Sequence, residues 1–263
     1  MTAEELAAVG LRYDEQGAVA TITLDRPEVY NAQTPAMWRG LSRIGEQIPD
    51  TVRVVVLTGA GGNFSAGLDR SMLDPRGGAE GTESVVDMLA RTDEEMSAII
   101  DEYQRGFTFL RDPRFISIAA VRGHAIGAGF QLALSCDLRL VAEDVKFCMK
   151  ETALGLVPDL TGTKPLVEAV GYSRALDLCA TARVVGAEEA VRIGLALEAV
   201  PGDRLDQAVA DLAASLNAHL PGAVRATKEL LQDAHDRSLD DQRRLEREAQ
   251  VVRFREVAAM LGS

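Results

Sequence analysis

The 263 residues carry 47% hydrophobic and 26% charged side chains, an ordinary globular composition in a chain long enough to bury a core without disulfide or metal staples. The formal net charge of -12 disfavours nucleic acid and anionic membrane surfaces as partners. No apolar run approaches the roughly 18 residues of a membrane span, the opening Met1-Thr2-Ala3-Glu4-Glu5 has no secretion-signal pattern, and Cys136, Cys148 and Cys179 read as reduced core thiols of a cytoplasmic protein.

The first 24 residues predict a hairpin. Val9, Leu11 and Tyr13 alternate, Asp14 to Gly17 supply turn chemistry, and Ala18, Ala20, Ile22 and Leu24 alternate again. Pro27 breaks this pattern, and from Thr34 and Pro35 the period becomes helical, with Met37, Leu41, Ile44 and Ile48 on one stripe. Val52 to Thr58 is a β-branched run with the composition of a strand buried on both faces. Residues 70–95 differ: Asp74-Pro75-Arg76-Gly77-Gly78 and the acidic Asp93-Glu94-Glu95 predict a surface excursion with the composition of a mobile loop.

A helix resumes by Met96, with Ile99, Ile100, Tyr103, Phe107 and Leu110 facing inward. Ile116 to Val121 is the next strand, followed by a helix over Ala128 to Leu134 and a strand over Leu138 to Val141. Helices are expected at 163–170, 173–181 and 187–193, then a short strand from Leu197 to Val200. Beyond Pro201 and Gly202 the pattern is helical throughout, at 204–219, 222–235 and 239–259. Repeated strand–helix units followed by helices alone predict an α/β core over residues 1–200 and a helical segment over 201–263.

Two turns rich in glycine and alanine, Gly59 to Asp69 and Arg122 to Gln131, each close a predicted buried strand. Small residues there let a ligand approach the backbone. The second turn also opens a helix, whose first N–H groups are unpaired and favour negative charge. Two such donors aimed at one oxygen make an oxyanion hole. Taken singly, each reads first as an ordinary tight turn, because neither matches a dinucleotide fingerprint or a phosphate-binding loop.

Together and in order, these segments resemble the crotonase superfamily, the enoyl-CoA hydratase/isomerase family. The resemblance rests on Leu24-Asp25-Arg26-Pro27 with Asn31-Ala32, Phe64-Ser65-Ala66-Gly67-Leu68-Asp69, and Val121 to Gly129 through Cys136-Asp137. It continues in Phe147 to Glu151, Gly155-Leu156-Val157-Pro158, and Gly186 to Ala190 with Gly194-Leu195. The resemblance implies an α/β crotonase (ClpP/crotonase-like) spiral of ββα units with a C-terminal helical trimerisation segment, assembled as a homotrimer or hexamer. It also implies an acyl-CoA thioester substrate, with coenzyme A part of the substrate and no separate cofactor. The thioester oxygen would accept hydrogen bonds from the N–H groups of Ala66 and Ala128. The loop of Ala66, Gly67, Leu68 and Asp69, together with Gly127, would line the bound CoA, with Arg26 near its phosphates.

Hydratases of this family place two carboxylates about one water, at the positions of Gln131 and Glu151 here. Gln131 cannot ionise near neutral pH, although it can orient water. A single carboxylate suits a different reaction, in which a double bond moves because one glutamate of raised pKa takes a proton from C2 and returns it at C4. Phe130, Leu154 and Leu156 are candidates to supply the desolvation. Asp159 lies eight positions after Glu151, the spacing at which dienoyl-CoA isomerases carry a second acid. It reads equally as part of a turn leading into a helix capped by Thr161. A non-catalytic acyl-CoA-binding protein on the same scaffold is the alternative from another class. His124 reads as packing, His219 and His235 as helix-end cations. No metal-ligand spacing and no Ser-His pair stands out.

Overall fold

In the computed structural model, which describes residues 1–74 and 83–262, the chain opens with a helix, α1 (Ala3–Ala8), ahead of the hairpin. Thr2 accepts from the Glu5 N–H while Glu5 reaches back to the Thr2 N–H, a reciprocal cap that lets so short a helix form. The hairpin of β1 (Leu11–Gln16) and β2 (Val19–Leu24) turns later than the sequence suggests. Gln16 pairs with Val19 across a two-residue turn at Gly17, whose φ of 61° suits glycine. Thr34 and Pro35 start α2 (Pro35–Gln47), where Thr34 accepts from the Met37 N–H.

The β-branched run becomes β3 (Val54–Gly59). Of the expected surface excursion, residues 75–82 lie outside the described residues, and its remainder includes α3 (Val85–Leu89). The helix expected by Met96 is α4 (Asp93–Thr108), begun by a second reciprocal cap between Thr92 and Glu95. It packs on α2, with Tyr103 and Phe107 against Trp38. Then follow β4 (Ile116–Val121), β5 (His124–Ile126), α5 (Ala128–Ser135), β6 (Leu138–Ala142) and β7 (Lys146–Cys148). After a single 3-10 turn, Glu151–Leu154, come α6 (Thr163–Val170), α7 (Tyr172–Thr181), α8 (Ala187–Arg192) and β8 (Glu198–Val200). The chain past Val200 is helical: α9 (Leu205–Asn217), α10 (Pro221–Gln232) and α11 (Leu239–Leu261).

Six strands form one sheet in the order β1-β2-β3-β4-β6-β8, parallel apart from the first hairpin. One face buries Ile22, Val55, Leu57 and Ala119 with the α2 and α4 side chains. The other buries Val54, Val56, Ile118 and Leu140 against Leu205, Val209 and Ala213 of α9. Apolar burial on both faces explains the continuous β-branched run of β3.

This topology positions the site twice over. β3 and β4 are adjacent and parallel, Val54 beside Ile116, so both glycine-rich turns leave the same edge of the sheet side by side. Ligands of open α/β sheets bind at that carboxyl edge. The small second sheet pairs β5 with β7, Ile126 beside Cys148. Gly127 follows one strand of that pair, and Glu151 follows the other by three residues.

Candidate active site

The first turn is set by a buried polar network. Ser65 donates its hydroxyl to the Asn31 carbonyl at 2.7 Å and accepts from Gln33 at 3.0 Å, while Gln33 in turn accepts the Trp38 indole N–H at 2.8 Å. Asn31 donates to the carbonyls of Ala60 and Asn63. The two turns are then zipped together: Phe64 donates to Arg122, Ser65 to His124, and Ile126 back to Ser65. His124 joins them by its side chain as well, its Nδ1 lying 2.7 Å from Asn63 Oδ1. The expected packing histidine is thus also a brace between the turns.

So close an approach demands glycine. A Cβ at Gly67 (φ 87°) would lie 2.4 Å from the Ile126 carbonyl oxygen and 3.5 Å from the Ala128 nitrogen. Within this contact the expected donors need one correction. The Ala66 N–H points elsewhere, donating to the Tyr30 carbonyl at 2.8 Å, because the left-handed backbone of Tyr30 (φ 53°) turns that oxygen toward it. The Gly67 N–H is satisfied by Ser65 Oγ. Leu68 bridges to Gln33 only through its neighbours, so its N–H has no acceptor among the described residues. The same holds for the N–H of Ala128, the first residue of α5.

Arg26 and Asp69 hold the far end of this loop. Arg26 Nη1 donates to Asp69 Oδ2 at 2.9 Å and to the Ala32 carbonyl at 2.7 Å. Burial alone would raise the Asp69 carboxyl, but the Ser71 hydrogen bonds and the Arg26 guanidinium outweigh it and hold it below the usual range.

Glu151 is buried, 8% exposed, on the 3-10 turn after β7. Its Oε1 accepts from Gln131 Nε2 at 2.6 Å, while Oε2 is buried with no hydrogen-bond partner among the described residues. The carboxylate lies against Gly127, where a Cβ would sit 3.3 Å from Oε1. Burial raises the Glu151 pKa; the backbone N–H of Glu151 itself, the Gln131 amide and the Lys150 N–H temper the shift, and the charge of Asp159 adds to it. Of the three apolar residues expected to desolvate Glu151, Phe130 is fully buried, but Leu154 and Leu156 are 53% and 41% exposed. The tight turn points Glu151 inward and the leucines outward; the close packing on the carboxylate is that of Gly127 and Gln131.

Gln131 is wholly buried and committed at both ends. Besides donating to Glu151, its Oε1 accepts the N–H groups of Leu160 at 2.9 Å and Gly162 at 3.2 Å. Two amide donors on one atom fix which end is oxygen. The sequence suggests a water-orienting role, but the structure uses this side chain to hold Glu151 and the 160–162 turn. Asp159 lies just before that turn. It keeps an exposed surface, yet the protein gathered around its carboxyl excludes water from one side and raises its pKa. The helix cap expected from Thr161 is absent: Gly162 is the N-cap of α6, without a side-chain hydrogen bond, and Thr161 is left-handed at φ 67°.

A buried carboxylate with one bare oxygen, set against a turn with a free N–H group, is an arrangement for moving protons beside a polarised carbonyl. The chain belongs to the enoyl-CoA hydratase/isomerase family of the crotonase superfamily: the model of that family matches residues 14–259. It is an enzyme of this lyase/isomerase group. A short-chain-enoyl-CoA hydratase of Clostridium acetobutylicum is 31% identical over 239 residues, 90% of this chain and 86% of that one. The human mitochondrial Delta(3,5)-Delta(2,4)-dienoyl-CoA isomerase is 34% identical over 235 residues, 85% of this chain and 68% of that one. A crystal structure from Thermobifida fusca YX, assigned by name to the enoyl-CoA hydratases and solved with acetoacetyl-CoA, superposes with a TM-score of 0.93. It is 52% identical and covers 97% of this chain and 98% of that one.

Proposed function

We propose that this enzyme binds an enoyl-CoA and shifts its double bond by proton transfer through Glu151. The N–H groups of Leu68 and Ala128 hold the thioester oxygen, with Gly67 and Gly127 giving the backbone its close approach. Glu151 takes a proton from C2 of a 3-enoyl thioester, and the electrons of that C–H bond pass to the thioester oxygen as a dienolate. The two backbone donors stabilise that charge. Glu151 then returns the proton at C4, the electrons settle between C2 and C3, and the glutamate is a carboxylate again.

The observation that carries this reading is the buried, unpartnered Oε2 of Glu151 beside Gly127. Burial raises its pKa, which makes one group serviceable as base and then acid. Hydration is disfavoured because Gln131, in the position where a second carboxylate would manage water, is not ionisable and has given its oxygen to two backbone N–H groups. The solved structure that carries acetoacetyl-CoA supports an acyl-CoA ligand.

A second reading, dienoyl-CoA isomerisation with Asp159 as an added proton carrier, is favoured by one arrangement: Gln131 holds Glu151 through its amide nitrogen and, through its oxygen, the Leu160 N–H next to Asp159. The likeness to the human dienoyl-CoA isomerase is in keeping with it.

Matched 2-enoyl-, 3-enoyl- and 3,5-dienoyl-CoA thioesters in deuterated water, followed by mass spectrometry, test these readings beside a Glu151→Gln control. A shifted double bond with no added water is the expected result from the 3-enoyl substrate, with deuterium at C4 in the turnovers in which the Glu151 carboxyl exchanges with solvent before returning its proton. A product heavier by one water from the 2-enoyl substrate would establish hydration instead. Binding of all three without turnover would leave an acyl-CoA-binding protein.

A further inference from the structure

Four non-glycine residues among those described have positive φ, and Thr161, at 67°, is the β-branched one. A β-branched side chain is a true outlier there, kept only where the surroundings over-determine the backbone. The constraint is visible. Gln131 Oε1 accepts from the N–H groups of Leu160 and Gly162, which straddle Thr161. Gly162 packs on the same side chain so tightly that a Cβ there would lie 2.6 Å from Gln131 Cγ. On the other side of the turn, Gln104 of α4 donates to the Asp159 carbonyl at 2.6 Å. Asp159 is therefore held through its own carbonyl and through its neighbour Leu160, while its carboxylate has no side-chain partner among the described residues.

We infer that Gln131 is a positioning residue for two carboxylates at once: its amide nitrogen fixes Glu151, and its oxygen bends the chain at Thr161 so that Asp159 is presented to the same site, with Gln104 as the second brace. The glutamine is then a coupler that sets the relation between two acids. The field of Asp159 at Glu151 agrees with this placement. This inference rests on the proton-transfer reading of Glu151 given above, taken with the second reading in which Asp159 is an added proton carrier.

The test is a set of variants, Gln131→Met, Gln104→Leu, Asp159→Asn and the doubles of each glutamine variant with Asp159→Asn. They are read by the pH profile of kcat/KM and by kcat and KM separately on the substrate turned over by the wild type. Gln131→Met should lower kcat by about tenfold or more, and should move the acid limb to higher pH because the carboxylate loses its donor. KM should stay within about twofold, since no group touching CoA has changed. Asp159→Asn should lower the wild-type rate, yet cost little more in either glutamine background, because the carboxylate it removes is already misplaced. Gln104→Leu should leave the acid limb in place while blunting the effect of Asp159→Asn.

An unmoved acid limb in Gln131→Met overturns the inference, as does an Asp159→Asn penalty of equal size in all backgrounds or absent from the wild type. If Gln131→Met does not fold, the cycle of Gln104→Leu with Asp159→Asn decides alone, because Gln104 reaches the turn from the protein surface. Failure of the underlying reading looks different: a Glu151→Gln enzyme with full activity removes both claims, whatever the glutamine variants do.

Discussion

The proposed chemistry turns on a carboxylate, that of Glu151, with Oε1 paired to Gln131 and Oε2 without a hydrogen-bond partner among the described residues, and pH should report that state directly. Burial holds the Glu151 pKa above the ordinary glutamate value, so the folded protein binds this proton more tightly than the unfolded chain. Stability must then fall as pH rises from the ordinary glutamate range through the raised value, and the loss persists above it. Asp159, raised for the same reason, adds a slope of the same sign. Denaturant unfolding at a series of mildly acidic pH values should show Glu151→Gln with a shallower slope than wild type; parallel curves would argue that Glu151 is not buried in solution. Turnover should run the opposite way, rising as the base form appears. Gly127 sets the limit of this geometry. At φ 50° and ψ -118°, with the Glu151 carboxylate against it, Gly127→Ala should cost about 1–3 kcal/mol of stability and lower kcat more than it raises KM. Most of this site was legible in the sequence as residues and hardly at all as directions. Glu151, Gln131 and the two turns stood out by type and order. Whether Ala66 or Leu68 offers the free N–H depends on where the Tyr30 carbonyl points, and no side chain records that.

At the scale of elements, long periodic segments were readable and short ones were not. α2, β4, the helices from α6 onward and the late strand β8 fall close to where period and turn chemistry put them. β5 and β7 are three residues each, too short to show an alternation, yet they bring Glu151 to Gly127. α1 was hidden within an apparent hairpin, although Thr2 and Glu5 form a capping pair that the spacing could have shown. One side chain in the helical segment binds elements far apart in sequence. Lys228 of α10 is 6% exposed, and its ammonium donates to the Asp112 and Phe115 carbonyls and to Asp137 Oδ2, each at 2.7 Å. Asp137 also accepts from the Ser117 N–H at the start of β4. Lys228→Met would keep the apolar stem but strand the Asp137 charge and two carbonyls, and should cost about 3–5 kcal/mol in denaturant unfolding. A loss below about 1 kcal/mol would mean that solvent reaches the pair.

At the scale of the whole molecule, α11 is the element that a single chain does not account for. None of its 23 residues is buried, yet it carries Val251, Val252, Phe254, Val257, Met260 and Leu261, with Phe254 64% exposed. Burying a large apolar side chain is worth roughly 1.5–3 kcal/mol, and soluble monomers rarely leave so many apolar groups together in water. These residues lie around the last three turns rather than along one stripe, as they would if more than one surface packs on the helix end. We propose that copies of this chain cover it, in the trimer or hexamer that the family resemblance implies. Closed symmetry repeats each contact in every copy, so one substitution acts several times in the assembly. Phe254→Glu should therefore do little to the fold of the chain, because the side chain contributes nothing to the monomer core, while shifting the assembly toward monomers. Sedimentation equilibrium of wild type and variant measures this directly. A wild-type mass of three or six chains that falls with Phe254→Glu, at unchanged far-ultraviolet circular dichroism, is the expected result. A wild-type monomer would mean that α11 finds its cover elsewhere, and an assembly indifferent to Phe254 would move the interface to another part of the surface.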